Sequence, residues 1–139
     1  MFEKMVSIIT INYNGFEDTC EFIDSLSENE TYHYELIVVD NASEINEAKK
    51  LQDIYPDIQV IRSDRNLGFA GGNNLGYRYA SGFYILYMNN DMIVKTPFLK
   101  PLIDRLDDSC VGVVSPKIRY SYALDIIQYA GSTEMTSVT

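Results

Sequence analysis

The feature that most constrains the fold is a strand-like apolar run that ends abruptly in three short polar side chains. The run 83–88 is apolar and aromatic, and Asn89, Asn90 and Asp91 follow it directly. Such a run predicts a central strand with both faces covered. Because open α/β sheets bind ligands at the carboxyl ends of their strands, these side chains are expected at a ligand site. Asp91 offers a hard oxygen ligand and the Asn residues offer amide groups, which together favour a metal-bound, phosphorylated ligand.

Strand-like runs alternate with helical patterns along most of the chain. The predicted strands cover residues 6–11, 35–40, 58–61, 83–88 and 111–114. The predicted helices comprise one with Thr19, Phe22, Ile23 and Leu26 on one face, one over 46–55, one reaching Ala80 with Gly82 as its C′ residue, and one over 97–106 that Thr96 caps. This alternation with short connections predicts an α/β, Rossmann-like fold, a mostly parallel sheet with helices on both faces.

Composition places the chain among ordinary globular domains. It has 139 residues, 46% of them hydrophobic and 22% charged, which suits one domain with a normal core. No apolar run approaches the roughly 20 residues that span a bilayer, and no signal peptide is recognisable. We therefore expect a cytoplasmic protein, with a position peripheral to the inner face of the membrane as an alternative. Cys20 and Cys110 are far apart, which favours two reduced, buried thiols over a disulfide scaffold.

Negative charge is concentrated in one stretch of the chain. The net charge is −9, and between Glu17 and Glu47 there are ten carboxylates and no Lys or Arg. This pattern argues against nucleic acid as a partner, since that needs a basic surface. A solvated acidic helix face is the favoured interpretation, and a docking surface for a basic partner is the alternative. His33, the only histidine, is expected at the surface.

Polar clusters follow three of the predicted strands. They are residues 12–14, residues 40–41 and residues 89–91. In a parallel sheet these clusters share one edge, where the Tyr13 ring could stack on a base, Asp40 could accept a hydrogen bond from a base or ribose, and Asp91 could hold a divalent cation. The structural alternatives are that Tyr13 packs in the core and that Asp40 serves a turn.

A glycine-rich segment, G-x-x-G-G-x-x-x-G, covers residues 68–76. It matches neither the Rossmann fingerprint nor the P-loop. Each glycine inside a helix costs about 1 kcal/mol relative to Ala, so Gly71, Gly72 and Gly76 require a close approach of the backbone to a ligand or to the sheet. Arg65, just before the segment, could serve a phosphate or lie at the surface.

Five motifs in order carry a resemblance to a known family. They lie at residues 8–14, 35–43, 65–73, 88–91 and 113–117. In this order they resemble the N-terminal, nucleotide-sugar-binding part of a family 2 glycosyltransferase with the GT-A fold. The N-x-G-F-A-x-G-x-N element at 66–74 resembles the rhamnosyltransferase-like branch. The resemblance covers roughly residues 5 to 120.

The resemblance implies a role for each matching position. Donor-binding positions would be Ile11, Asn12, Tyr13, Asp40, Asn41, Arg65, Asn66, Gly68, Asn73 and Asn90. The family's D-x-D-like motif is Asn89-Asn90-Asp91 here, so Asp91 would be the one acid left for Mn²⁺ or Mg²⁺. A cation bound largely through the donor pyrophosphate is consistent with a single acid.

The resemblance also implies what the chain would lack. Family members carry the catalytic base and the site for a saccharide or lipid-linked acceptor beyond the donor-binding part, and residues 115–139 match no such motif. Asp125 and Glu134 are acids with the wrong neighbours. We therefore expect no catalytic residue here, the base being beyond Thr139. The expected division is a nucleotide-sugar-binding core at 1–116 and the start of an acceptor half at 117–139.

Three functions follow as hypotheses. The first is an inverting glycosyltransferase of the hexosyltransferase type, in surface polysaccharide or glycoconjugate synthesis, of which this chain binds donor and metal with little activity alone. The second is a non-enzymatic remnant or nucleotide-binding module. The third, nucleotidyltransferase chemistry, lacks its N-terminal glycine/arginine loop. A sheet cut short also predicts self-association through an uncovered face.

Overall fold

The computed structural model describes residues 4–131, so the small, polar segment at 132–139 lies outside the described residues. The chain forms two units, one up to Thr96 and one from Pro97. The division predicted at residues 116 and 117 stays a prediction.

The first unit is built on a parallel sheet. Its strands are β1 (Val6–Asn12), β2 (Tyr34–Asp40), β3 (Gln59–Arg62) and β4 (Tyr84–Tyr87), in the order β3-β2-β1-β4. Three helices connect them: α1 (Phe16–Asn29), α2 (Glu47–Ile54) and α3 (Gly68–Tyr77). The predicted α/β class and four of the five predicted strands are confirmed, with small differences at the ends.

The prediction that β4 is a central, fully covered strand is wrong for this sheet. β4 stands at one end of the strand order, its first three residues are only partly buried, and Tyr87 is exposed. Tyrosine suits a strand that is only partly covered, because its ring can pack against the protein while its hydroxyl reaches water. Self-association through this edge stays a prediction.

The α1 helix covers the sheet with the face that its sequence predicts. Thr19, Phe22, Ile23 and Leu26 are all buried, while the acids of the first turn, Glu17 among them, are exposed. The 3.6-residue period therefore separates the core face of this helix from its solvated acidic face.

The α3 helix lies unusually close to the sheet because of its glycines. A Cβ on Gly72 would stand 2.8 Å from Ile11 Cδ1, and one on Gly76 would stand 2.6 Å from Ile9 Cγ2. At these two positions, close contact with the sheet therefore requires glycine. The prediction that Gly82 is the C′ residue of this helix is wrong, because the helix ends at Tyr77. A Cβ on Gly82 would stand 2.6 Å from the Ser7 amide nitrogen, so contact with β1 excludes a side chain at this position.

The second unit contains helix α4 (Leu99–Leu106) and an antiparallel hairpin of β5 (Ile118–Tyr120) and β6 (Ala123–Tyr129). The strand predicted at 111–114 is wrong: the segment has no regular structure and Val113 is 87% exposed. Gly112 interrupts this short apolar run and Pro116 follows it, which weakens any strand there. The predicted cap at Thr96 is also wrong, since Phe98 is the N-cap residue and makes no side-chain cap.

The two cysteines are free, and only one of them is even partly buried. Cys110 is exposed, contrary to the prediction, because it lies in a turn whose amides bond to Asp108: Cys110 N donates to Asp108 Oδ1 at 2.9 Å. His33 is exposed, as predicted. Among the described residues, no helix combines the length and the apolar character needed to cross a bilayer.

Candidate functional site

Three polar clusters meet at the carboxyl edge of the parallel sheet. Asn12 at the end of β1 is the register partner of Asp40 at the end of β2. On the other side of β1, the Met88 amide donates to Ile9 O at 3.0 Å, so the loop 89–91 leaves the same edge. The predicted juxtaposition of these clusters is therefore present in the structure.

Asp40 is a buried anchor at the centre of this edge. Its side chain is 0% exposed. Oδ1 accepts from the Ser43 amide at 3.1 Å, Oδ2 accepts from the Ala48 amide at 3.2 Å, and Arg62 forms an ion pair with Oδ2. Asp40 thus holds the turn after β2 and the first turn of α2. Its role in base binding stays a prediction.

Arg62 is a residue that the sequence analysis missed. It is the last residue of β3 and the register partner of Asp40, and Nη2 also donates to Ser43 O at 2.9 Å. The signal was present, since a basic residue closes the strand that follows an acid-closed strand. Opposite charges at matching ends of neighbouring parallel strands are expected to pair.

Asn12 is the second buried polar group of the edge. Its Nδ2 donates to Glu47 Oε2 at 2.7 Å and to Ser43 Oγ at 3.2 Å, with Asp40 Oδ1 at 3.5 Å, and its Oδ1 accepts from Thr19 Oγ1 at 2.8 Å. The acidic stretch is therefore not uniformly solvated, because Asp40 and Glu47 are part of this buried network.

Asn41 fastens the loop that precedes α3. Its Oδ1 accepts from the Leu67 amide at 2.9 Å, and its Nδ2 donates to Asn66 Oδ1 at 3.0 Å and to Gly68 O at 3.3 Å. Gly68 has a φ of +69°, a left-handed conformation that favours glycine. The structure thus brings together three of the predicted donor-binding positions, Asn41, Asn66 and Gly68. The hydrogen bonds from Asn41 fix the loop that contains the other two.

The remaining predicted donor-binding positions divide into packed and exposed side chains. Ile11 contacts the backbone of α3 at Gly72, and Asn73 is buried with its Nδ2 on Phe69 O at 3.2 Å. Arg65 is exposed, and the Phe69 ring, which the sequence analysis did not single out, is 64% exposed beside the loop. An aromatic residue in the first turn of a glycine-rich helix is a signal that could have identified it.

Tyr13 presents its ring to solvent at this edge. It is 50% exposed, which argues against a packing role. The next residue, Asn14, has a φ of 52°, its amide donates to Ser43 Oγ at 2.9 Å, and its Oδ1 accepts from the Glu44 amide at 2.8 Å. Two cross-loop hydrogen bonds therefore fix the left-handed residue that follows Tyr13.

Asp91 is an exposed carboxylate on the loop after β4. Within residues 4–131, no three His, Cys, Asp or Glu side chains come together as a metal site would require. Asp91 suits a hard cation as one ligand, so the remaining ligands would have to come from carbonyl oxygens, from water or from a bound molecule. Asn90 lies beside it and donates from Nδ2 to Thr19 Oγ1 at 2.9 Å.

Comparison with known proteins gives a consistent family. The sequence matches the family model described as Glycosyl transferase family 2 over residues 7–131. It is 32% identical over 88 residues to the uncharacterized glycosyltransferase YwdF of Bacillus subtilis, covering 62% of this chain and 32% of that protein. It is 31% identical over 117 residues to the low-salt glycan biosynthesis hexosyltransferase Agl10 of Haloferax volcanii, covering 81% of this chain and 36% of that protein.

A solved structure with the same fold is S. aureus TarS 1-349, crystallised in complex with UDP-GlcNAc. It superposes with a TM-score of 0.65 at 22% identity, over 75% of this chain and 31% of that chain. This likeness shows the fold, which is the GT-A form of the Rossmann-like sheet. The chain spans about a third of the length of these curated relatives.

Proposed function

Because this chain belongs to glycosyl transferase family 2, we propose that it binds a nucleotide-diphosphate sugar at the carboxyl edge of its parallel sheet. The observation that carries the proposal is the convergence of the clusters after β1, β2 and β4 on that edge. The edge joins an exposed aromatic ring at Tyr13 to an exposed carboxylate at Asp91. A base and a cation-bound pyrophosphate need these two kinds of group.

The reaction that we propose for the whole protein is inverting transfer of a hexose to a saccharide or lipid-linked acceptor. Agl10, which is named a hexosyltransferase of glycan biosynthesis, supports this class, as does the TarS complex with UDP-GlcNAc. By analogy, the pathway would be synthesis of a surface polysaccharide or glycoconjugate. Such a protein would work in the cytoplasm, at or near the inner face of the membrane.

Each group at the edge has a distinct proposed task. The Tyr13 ring stacks on the base, and the loop that Asn41 holds borders the ribose and pyrophosphate, with Arg65 available to the phosphates. Asp40 supports the site indirectly, by holding the turn after β2 in place. This differs from a direct hydrogen bond to the base, because its two oxygens already accept from Ser43, Ala48 and Arg62.

The cation proposed here is Mn²⁺ or Mg²⁺, held by Asp91 and by the donor. The fit is partial, since Asp91 brings one carboxylate and no group of three His, Cys, Asp or Glu side chains forms a metal site within the described residues. The ion would neutralise the pyrophosphate and help its departure from the sugar. Metal affinity should therefore be low without a diphosphate and should rise when one is present.

The catalytic base of an inverting transfer must lie close to the acceptor hydroxyl that it deprotonates. We propose that it lies outside the residues of this chain. In that case the chain binds donor without turning it over when an acceptor is added. Conversion of a radiolabelled donor by this chain alone would contradict this part of the proposal.

Calorimetric titration tests the binding proposal. UDP, dTDP and GDP, each with and without Mn²⁺, are titrated into the protein, and the corresponding sugar nucleotides follow for the best binder. We expect saturable binding of one nucleotide, strengthened by Mn²⁺. The alternative, a remnant without nucleotide binding, predicts no saturation for any of them at about millimolar ligand, the weak end of specific recognition.

A further inference from the structure

A buried polar chain links the loop that carries Asp91 to the centre of the sheet edge. Asn90 Nδ2 donates to Thr19 Oγ1 at 2.9 Å, and Thr19 Oγ1 donates to Asn12 Oδ1 at 2.8 Å. Asn12 Nδ2 then donates to Glu47 Oε2 at 2.7 Å. From this geometry we propose that Thr19 and Asn12 are positioning residues, which fix the orientation of the Asn90 amide for a bound diphosphate and its cation. The inference rests on the function proposed above.

The direction of each hydrogen bond in this polar network is set at the end that lies nearest Glu47 and Asp40. Asp40 forms an ion pair with Arg62, and Glu47 accepts from Asn12 Nδ2 at 2.7 Å, so both buried carboxylates act as acceptors here. Asn12 must therefore turn Nδ2 towards them, which leaves its Oδ1 to face Thr19. That oxygen can only accept, so the Thr19 hydroxyl must give its one proton to Asn12.

The same argument fixes the orientation of the Asn90 side-chain amide at the other end of the network. With its proton on Asn12, Thr19 Oγ1 has only lone pairs to offer, so it can bond to Asn90 solely through the Asn90 amide nitrogen. The Asn90 carbonyl oxygen is thereby turned out of the network, and no donor within residues 4–131 engages it. Because Asn90 directly precedes Asp91 in the chain, this carbonyl oxygen is available as a second hard ligand for a cation, or as an acceptor for a ligand hydroxyl.

Thr19 is suited to this task by its place in the fold. It lies one turn into α1, is 0% exposed, and its amide donates to Gly15 O at 2.9 Å. A Cβ on Gly15 would lie 3.0 Å from Asn90 Nδ2, so the loop approaches the start of α1 as closely as a glycine allows. The sequence pattern predicts Thr19 on the core face of α1, and in the structure its hydroxyl joins Asn12 to Asn90.

The test uses Thr19→Val, which keeps the shape of the side chain and removes the hydroxyl. Thr19→Ser keeps the hydroxyl and should restore function, and Thr31→Val makes the same chemical change at an exposed threonine of the first unit. For each protein, the affinity for UDP, dTDP or GDP with Mn²⁺ is compared with the affinity for the matching nucleoside, which lacks the diphosphate.

We expect Thr19→Val to weaken Mn²⁺-dependent diphosphate binding by about fivefold to tenfold, the value of one net hydrogen bond. Nucleoside binding should change less than about twofold, and Thr19→Ser and Thr31→Val should behave like the wild type, since each retains the network. Unchanged diphosphate binding in Thr19→Val would overturn the proposal. Equal weakening of nucleoside and diphosphate would overturn it too, because that is a general loss of structure.

A ligand-free measurement separates this inference from the proposed function. The side-chain amide protons of Asn90 are followed by NMR hydrogen exchange in the wild type, Thr19→Val and Thr31→Val. Exchange should accelerate only in Thr19→Val, and equal exchange in all three would overturn the proposed orientation. If the wild type bound no nucleotide, the proposed function would fail. If the wild type bound a nucleotide and Thr19→Val bound it equally well, only the positioning role would be refuted.

Discussion

At the scale of single residues, the edge depends on the ion pair between the buried Asp40 and the partly exposed Arg62. An acid that closes a strand suggests both a ligand contact and a turn, and the sequence alone left both open. The structure shows the second, with the carboxylate 0% exposed and held by two backbone amides and Arg62. Because burial depends on what the rest of the chain places around a residue, no local pattern could show that Asp40 is a buried anchor, and its contact with a ligand stays a prediction.

Asp40→Asn should therefore destabilise the protein, whether or not a ligand is present. Removing one charge takes the carboxylate partner from Arg62, which keeps its bond to Ser43 O, and weakens the acceptor for the first turn of α2. We expect a loss of about 1–3 kcal/mol in the free energy of unfolding. Urea denaturation followed by circular dichroism measures it. The matched control is Asp53→Asn, whose partner Lys49 is exposed and whose effect should stay below about 0.5 kcal/mol. Similar small losses in both variants would contradict the anchoring role of Asp40.

At the scale of elements, the glycines of α3 set the distance between helix and sheet. The glycine spacing predicted a close approach to something, and the structure identifies the sheet for Gly72 and Gly76. The sequence could not choose between sheet and ligand, since both demand the same missing side chain. It was equally unable to place β4 at the end of the strand order, because strand order depends on long-range pairing.

Gly76→Ala tests this packing. The new Cβ would stand 2.6 Å from Ile9 Cγ2 and 3.1 Å from Val39 Cγ2, two branched methyl groups in the core that cannot move aside freely. Although alanine favours the helix, we expect a net destabilisation of about 1–3 kcal/mol from overpacking.

The control on the same helix is Asn74→Ala at an exposed position, which should be neutral or stabilise by about 0.5 kcal/mol through helix propensity alone. Both variants are compared by urea denaturation. A Gly76→Ala protein as stable as Asn74→Ala would mean that α3 does not depend on this close contact.

At the scale of the whole molecule, a second polar cluster holds the opposite, amino end of the sheet. The Glu35 carboxylate on β2 accepts from the Ser7 hydroxyl on β1, from the Ser81 amide at 2.6 Å and from the Gly82 amide at 3.1 Å. It thus ties two strands to the segment that enters β4. Burial by itself would raise the pKa of Glu35, but these hydrogen bonds outweigh it and hold the pKa below its ordinary value.

Glu35 should make the stability of the protein depend on pH. Because its pKa is lower in the folded state, its contribution is complete above the unfolded value of about 4.3 and is lost as pH falls through the folded pKa. Glu35→Gln should therefore be less stable than wild type at pH 7, with the difference shrinking in acid. Urea midpoints between about pH 3 and 7 measure this.

The control for this pH profile is Glu28→Gln, which removes an exposed acid from α1. Its difference from wild type should be small throughout. A Glu35→Gln difference that stays constant from neutral pH into acid would show that the depressed pKa contributes nothing to stability.

Much of the architecture could be predicted from local sequence signals. Short apolar runs located four strands correctly, the 3.6-residue period located the α1 face, and the order of motifs indicated the family. The strand predicted at 111–114 failed because a short apolar run interrupted by Gly112 is ambiguous without its neighbours. Glu47 and the Thr19 hydroxyl were missed because each acquires its partner only through the tertiary fold, whereas Arg62 had a signal in its place at the end of β3.

The most direct test of the central claim, a donor site in which Asp91 shares a cation with a pyrophosphate, is the Mn²⁺ dependence of nucleoside diphosphate binding. Affinity for the best-binding nucleotide is measured by calorimetry with and without Mn²⁺, in the wild type and in Asp91→Ala. Since a charge-assisted contact is worth about 1.5–3 kcal/mol, Mn²⁺ should tighten wild-type binding by about tenfold or more. In Asp91→Ala this gain should disappear while metal-free binding stays the same. An equal Mn²⁺ gain in both proteins would contradict the account.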